Sequence, residues 1–138
     1  MSEIDYNQQV IAEFREQGGK VGGPMEGAAL VLVHHTGAKS GTERVTPLMY
    51  QQIDADTIAI FASKAGAPTN PDWYHNLRAN PETTIEIGSE KRRVRAREAA
   101  AEERARIWEA QKQAMPQFAE YEEKSGGREI PVVLLEAA

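Results

Sequence analysis

The tightest constraint on this chain is how little sequence separates its strand-like runs. Val45 to Ile53 alternates, Thr57 to Lys64 is apolar and β-branched, and only Asp54-Ala55-Asp56 lies between them. Three turn-forming residues can close a hairpin, but a parallel crossover needs a dozen or more. Downstream the pattern repeats, with Thr83–Ile87 and Lys91–Arg97 flanking Gly88-Ser89-Glu90. Earlier, the apolar run Ala28–Val33 reaches Val45 through a loop bounded by Gly37 and Gly41. The predicted strands are therefore about 28–36, 43–53, 57–64, 83–87, 91–97 and 130–135, with the apolar Ile130–Leu135 run expected to be central. Consecutive strands joined by short turns favour antiparallel pairing. The chain reads as α+β, a small closed or half-open barrel of about six strands with peripheral helices.

Four helical segments complete the reading. Residues 4–17 set Ile4, Val10, Ile11 and Phe14 at roughly helical spacing, and Gly18, Gly19, Gly22, Gly23 and Pro24 then form a hinge. Asp72–Ala79 is a short helix bracketed by Asn70-Pro71 and Asn80-Pro81. Ala100–Met115 is the longest, with Ala101, Ala105, Trp108 and Met115 as its expected buried stripe. Pro116 interrupts it, and a further helical piece runs to about Lys124.

Composition narrows the function. At 138 residues the chain is one domain by the usual prior. No run approaches the roughly 20 apolar residues of a membrane span, and Met1–Asp5 has no signal-like apolar region. A cytoplasmic protein is expected. The chain has no cysteine, which excludes disulfides, thiolate metal sites and cysteine nucleophiles. A net charge of −5 argues against nucleic acid as a partner.

The loop Gly37-Ala38-Lys39-Ser40-Gly41, followed by Thr42 and Arg44, carries the clearest chemistry. Glycines let the backbone turn its N–H groups toward an anion. Lys39 and Arg44 add charge, and Ser40 and Thr42 add short donors. By itself such a loop is an ordinary polar turn, and its spacing is not that of a P-loop. Its company favours a phosphate grip: Lys64 ends a neighbouring strand, and Trp73 and Asn76, three apart on one helix, offer an indole and an amide to a flat polar ring. The plainer alternative for that pair is a core tryptophan beside a capping asparagine.

Other features are weaker. His34 and His35 are adjacent on a strand, so they face opposite ways and cannot bind one metal ion; no metal site is expected. Lys91, Arg93, Arg95 and Arg97 share one strand face, best read as solvated and balanced by nearby glutamates.

Together these segments resemble the deazaflavin (F420)-dependent nitroreductase family of split β-barrel oxidoreductases. The resemblance rests on Thr36–Gly41, Arg44–Leu48, Ala62-Ser63-Lys64, Asn70–Leu77, Ala79-Asn80-Pro81, Glu103-Arg104-Ala105, Trp108 and Ile130–Val133, in the family's order across roughly residues 28–135. It implies coenzyme F420 as cofactor, with Ala38, Lys39, Ser40 and Arg44 on its phosphate. Val45, Thr46, Pro47, Leu48 and Met49 would lie along the deazaflavin, and Phe61, Ala62, Ser63, Lys64, Asp72, Trp73, Tyr74, His75 and Asn76 would complete the pocket. Phe118 stands where nitroimidazole-reducing members have a tyrosine over the substrate. Phe118 cannot donate a proton, so Tyr121, three positions on, is the candidate proton donor beside it.

The implied activity is hydride transfer from the reduced deazaflavin to an electron-poor acceptor: an enone, a lactone such as a coumarin-like ring, a quinone, or a nitro compound. The alternatives are an FMN-dependent split-barrel oxidoreductase and a non-catalytic deazaflavin carrier. Residues 1–25 would form a substrate lid and 26–138 the cofactor-binding barrel. The expected partner is a small-molecule acceptor, with no integral membrane segment, peripheral membrane contact left open through the first helix, and a monomer or weak homodimer.

Overall fold

Six antiparallel strands close into a barrel. In the computed structural model, which describes residues 3–19, 29–63, 70–126 and 129–137, they are β1 (Leu30–Thr36), β2 (Glu43–Asp54), β3 (Thr57–Phe61), β4 (Glu82–Ile87), β5 (Glu90–Glu98) and β6 (Val132–Ala137). Their order around the barrel is β1-β2-β3-β6-β5-β4. The two predicted hairpins form, β1 also pairs antiparallel with β2 across the glycine-bounded loop, and Gly88 takes the positive φ of 58° that the β4–β5 turn requires. As expected of an apolar, β-branched run, β6 has a partner on each side, β3 and β5. Closure comes from β1 and β4, which share only the Leu32–Glu86 and Val33–Ile85 register pairs.

Side chains alternate between two environments. Val31, Val33, Ile58, Ile60, Ile85, Val94 and Leu135 fill the interior. Leu30 and Leu32 face outward, beneath α1 (Glu3–Glu16), whose Val10 and Phe14 are buried on them. Each such side chain contributes about 1.5–3 kcal/mol. The outer face of β3 and β6 is covered by α3 (Ala101–Ala114) and α4 (Gln117–Lys124) through Ile107, Trp108 and Phe118.

The buried face of α3 holds Trp108 and the half-buried Met115 as expected but differs from the expected stripe elsewhere. Ala101 and Ala105 are exposed, and Ile107, Trp108 and Gln111 are buried. Gln111 accepts a hydrogen bond from Gln51 Nε2 at 3.1 Å, so a polar pair joins the face that hydrophobic spacing marked only in part. Two further expectations shift slightly. β3 ends at Phe61, leaving Ala62 and Ser63 beyond it, while Lys64 lies outside the described residues. The basic strand face is solvated as expected: Arg95 pairs with Glu82, Arg97 with Glu103 and Glu136, and Arg93 donates to Thr84.

Candidate functional site

The loop between β1 and β2 is a closed, self-bonded turn. Gly37 N–H donates to the Thr42 carbonyl at 2.8 Å and Gly41 N–H to the Gly37 carbonyl at 2.9 Å. Gly41 sits at φ 71°, where an L side chain is strained, and a Cβ on Gly37 would come within 2.4 Å of Ser40 Oγ. Gly41 is therefore a backbone requirement, whereas a side chain at Gly37 would have to displace the Ser40 hydroxyl. Around this turn Lys39, Ser40, Thr42 and Arg44 are all exposed. Among the described residues neither Lys39 nor Arg44 has an ion-pair partner, unlike Arg92, Arg95 and Arg97 on β5. Two uncompensated cations with hydroxyls between them suit a phosphate.

The loop is clamped from below. α2 (Asp72–Ala79) caps this end of the barrel, with Trp73, Tyr74, Asn76 and Leu77 buried. Asn76 Oδ1 accepts from Ala38 N–H at 3.0 Å, which fixes the orientation of the amide. Asn76 Nδ2 must then donate to His35 Nδ1, 2.9 Å away, which leaves the His35 proton on Nε2, facing Thr46 Oγ1 at 2.8 Å. Burial, reinforced by the Arg44 charge, pushes the His35 pKa down, so this chain runs through a neutral imidazole. It ties α2, the loop and β2 together.

These contacts place the predicted helix residues differently from an open ligand face. Asn76 spends both ends of its amide on the protein, and Trp73 is 4% exposed within the barrel interior. Tyr74 is also buried there and donates to Glu98; burial foremost raises its pKa. Asp72 and His75 are exposed. Phe118, expected over a substrate, is 3% exposed and packs edge-on against Phe61, with ring centroids 5.4 Å apart. Ala62 is fully buried, and Ser63 is half-buried. Tyr121 is half-buried, its ring 5.2 Å from Phe118 and its hydroxyl 3.4 Å from Gln117 Nε2.

The most distinctive feature is the far edge of β2. Tyr50 N–H donates to the Ala29 carbonyl and Gly37 N–H to the Thr42 carbonyl, so the even-numbered residues of β2 bond toward β1. By the alternation of an antiparallel ladder, Glu43, Val45, Pro47 and Met49 face the other edge. On that edge β3 pairs only with Tyr50–Asp54, because beyond Phe61 the chain leaves the ladder. Among the described residues no strand covers Glu43–Met49 there. Pro47, which has no N–H, is tolerated because its ladder side is open. The result is a wedge between β2 and residues 61–63, with half-buried walls from Val45 to Met49 and N–H groups at Val45 and Met49. Met49 packs toward both the α1 cluster and the α3–α4 cluster, so the wedge lies between those helical layers.

Local sequence reasoning thus located the loop and β2. It missed the His35 link, the Gln51–Gln111 pair and a part-buried cluster in which Glu86 binds Arg15 and His34. The residues of each contact are distant in sequence, and a polar residue in a strand gave no signal of its partner.

The F420H(2)-dependent quinone reductase family matches residues 6–137. A Mycobacterium tuberculosis F420H(2)-dependent quinone reductase is 37% identical over 128 residues, spanning 90% of this chain and 85% of that protein. A solved F420-H2 dependent reductase superposes with a TM-score of 0.69 at 40% identity, covering 78% of this chain and 94% of its own. A second solved relative, described as a domain-swapped dimer, is 37% identical with a TM-score of 0.71, covering 98% of this chain and all of its own.

Proposed function

This chain belongs to the F420H(2)-dependent quinone reductase family, and on that premise we propose that it reduces a quinone or related conjugated carbonyl compound at the wedge beside β2. It is an F420-dependent oxidoreductase on a split barrel. The observation that carries the site assignment is the junction of the wedge with the unpaired cationic loop. One offers hydrogen-bonding groups to a flat heterocycle, and the other offers charge to a phosphate.

The donor set fits the cofactor. Lys39, Ser40 and Arg44 would hold its phosphate through charge-assisted hydrogen bonds, on a loop whose shape Asn76 fixes. The N–H groups of Val45 and Met49 would meet ring carbonyls, with Pro47 and Leu48 against the ring. Trp73, Tyr74 and Asn76 act from beneath, as the support of this end of the barrel. Bound in its reduced form, the deazaflavin supplies a hydride, and the protein contributes binding, orientation and electrostatics.

Reducing a carbonyl acceptor also consumes a proton. Tyr121 is our candidate donor: its oxygen accepts from Gln117, which leaves the phenolic proton free to be passed on. α1, lying over the outer face of β1 and β2, would exclude water from the acceptor. The acceptor class extends to enones and coumarin-like lactones. Nitro compounds are less favoured, since Phe118 is in the core. The working form is a monomer or weak homodimer.

The test is titration of the protein with oxidised F420 and, separately, FMN by tryptophan fluorescence, followed by anaerobic F420H2 oxidation with 1,4-naphthoquinone, coumarin and a nitroimidazole. Selective F420 binding with fastest turnover of the quinone is expected. Selective FMN binding, or F420 binding without turnover of any acceptor, would overturn the reading. Tyr121→Phe should lower kcat and leave the F420 Kd unchanged.

A further inference from the structure

The two ends of the barrel are finished differently. At the loop end, α2 contributes Trp73, Tyr74 and Leu77 to the interior cluster, which has no other helical member among the described residues. At the opposite end, where β2 turns into β3 and β4 into β5, the interior opens into a hollow of about 270 Å3. Ile58, Ile85, Val94 and Leu135 form its floor, each no more than 3% exposed. An adjoining hollow of about 440 Å3 is lined by Tyr50, Gln52 and Ile87. Arg92 belongs to both.

Arg92 is the unusual residue. It stands opposite Ile85 in the β4–β5 register and two positions before Val94, so alternation places it on the inward face of the barrel. A charge on that face would be costly in mid-barrel and is tolerated here because the mouth is wet. Among the described residues its one carboxylate partner is Glu90, a single oxygen of which takes Nε at 3.1 Å and Nη2 at 3.0 Å. Both side chains are about half or more exposed, and pairs of this kind contribute only about 0–1 kcal/mol. The remaining guanidinium N–H groups are left for another acceptor. The other rim charges are Arg93, which alternation turns outward onto Thr84, and the exposed Asp56.

We propose that this mouth is a second binding site, remote from the cofactor loop, for a small aromatic carboxylate. Its ring would rest on Ile58, Ile85, Val94 and Leu135 and its carboxylate on Arg92. The chemistry follows from the lining. An apolar floor with a single inward cation selects a flat apolar body carrying one anionic group, and guanidinium binds carboxylate in a planar, bidentate manner. The volume limits the body to one or two fused rings, because the hollow is slightly smaller than the pockets of about 300–1,000 Å3 that hold drug-sized ligands. Glu90 would yield its place or share it.

The experiment is methyl NMR of the full chain titrated with 2-naphthoate and with its neutral match, 2-naphthamide, each with and without saturating oxidised F420. The expected result is saturable shifts at Ile58, Ile85, Val94 and Leu135, unaffected by F420, with the acid binding at least tenfold tighter than the amide. Arg92→Gln should abolish that preference and Arg92→Lys should keep part of it; the half-exposed position lets the same spectra verify folding. Three results would overturn the proposal: no saturable shifts, equal binding of acid and amide, or shifts confined to residues 38–49 that F420 abolishes. The last would mean that the probe enters the cofactor wedge.

Discussion

Replacing Glu86 with glutamine should loosen α1 from the barrel wall, and pH should report it. The Glu86 side chain is 8% exposed on the outer face of β4. It accepts from Arg15 Nε at 3.0 Å, Arg15 Nη2 at 2.8 Å and His34 Nε2 at 2.7 Å. Those donors, Arg15 first, outweigh the cost of burial and lower its pKa from 4.5 to about 2. Such a drop is equivalent to about 3 kcal/mol for the ionised form. The Arg15 side chain is 49% exposed, so solvent screening reduces the expected contribution to about 2 kcal/mol. A carboxyl group lowered in the folded state adds stability that is complete above about pH 5 and is lost as the pH falls toward 2. Urea unfolding at neutral pH should therefore place Glu86→Gln about 2 kcal/mol below wild type, a midpoint shift on the order of 1 M. The gap should close as the pH approaches 2. Glu103, also held at about 2, chiefly by Arg97, is present in both proteins and cancels from the difference. A gap that stayed constant across that acid range, or no gap at neutral pH, would refute the reasoning.

Three further outcomes are expected. Lys39→Ala and Arg44→Ala should each weaken F420 binding by about 1.5–3 kcal/mol, the range for hydrogen bonds to charged groups; unchanged Kd values in both would remove the phosphate assignment. Asn76→Ala leaves the Ala38 N–H and His35 Nδ1 without their partner. It should cost about 1–3 kcal/mol in thermal or urea unfolding and also lower F420 affinity, although the side chain is not placed in contact with the cofactor. Deleting residues 1–23 should change KM or preference among acceptors with little change in F420 Kd, and a large loss of cofactor affinity would count against α1 as a lid.

What the sequence made legible was local. Asn-Pro pairs bracket α2, and the structure runs it over Asp72–Ala79 as expected, because proline restricts both its own residue and the one before it. The Asp54-Ala55-Asp56 and Gly88-Ser89 turns set two hairpins, and the exposed cations of the 37–44 loop could be read without their surroundings. What could not be read depended on distant partners. The α3 stripe held at Trp108 and Met115 and missed at Ala101 and Ala105, because alanine marks a face weakly, while buried Gln111 is polar and answers to Gln51 on β2. Asn76 looked like a ligand contact because its partners, Ala38 and His35, lie 38 and 41 residues away in the sequence. Barrel closure through β1 and β4 rests on so short a register that no pattern announces it.

Pro47 has a consequence for solubility. Four residues of β2, Glu43, Val45, Pro47 and Met49, turn their ladder groups to an edge with no described strand beside it, and such an edge is a template for a strand from another copy of the chain. A flat ligand needs only one or two of those groups, whereas an incoming strand needs the whole row in register. Because Pro47 removes the donor midway between Val45 and Met49, the edge can serve a small heterocycle and still break the ladder that would start aggregation.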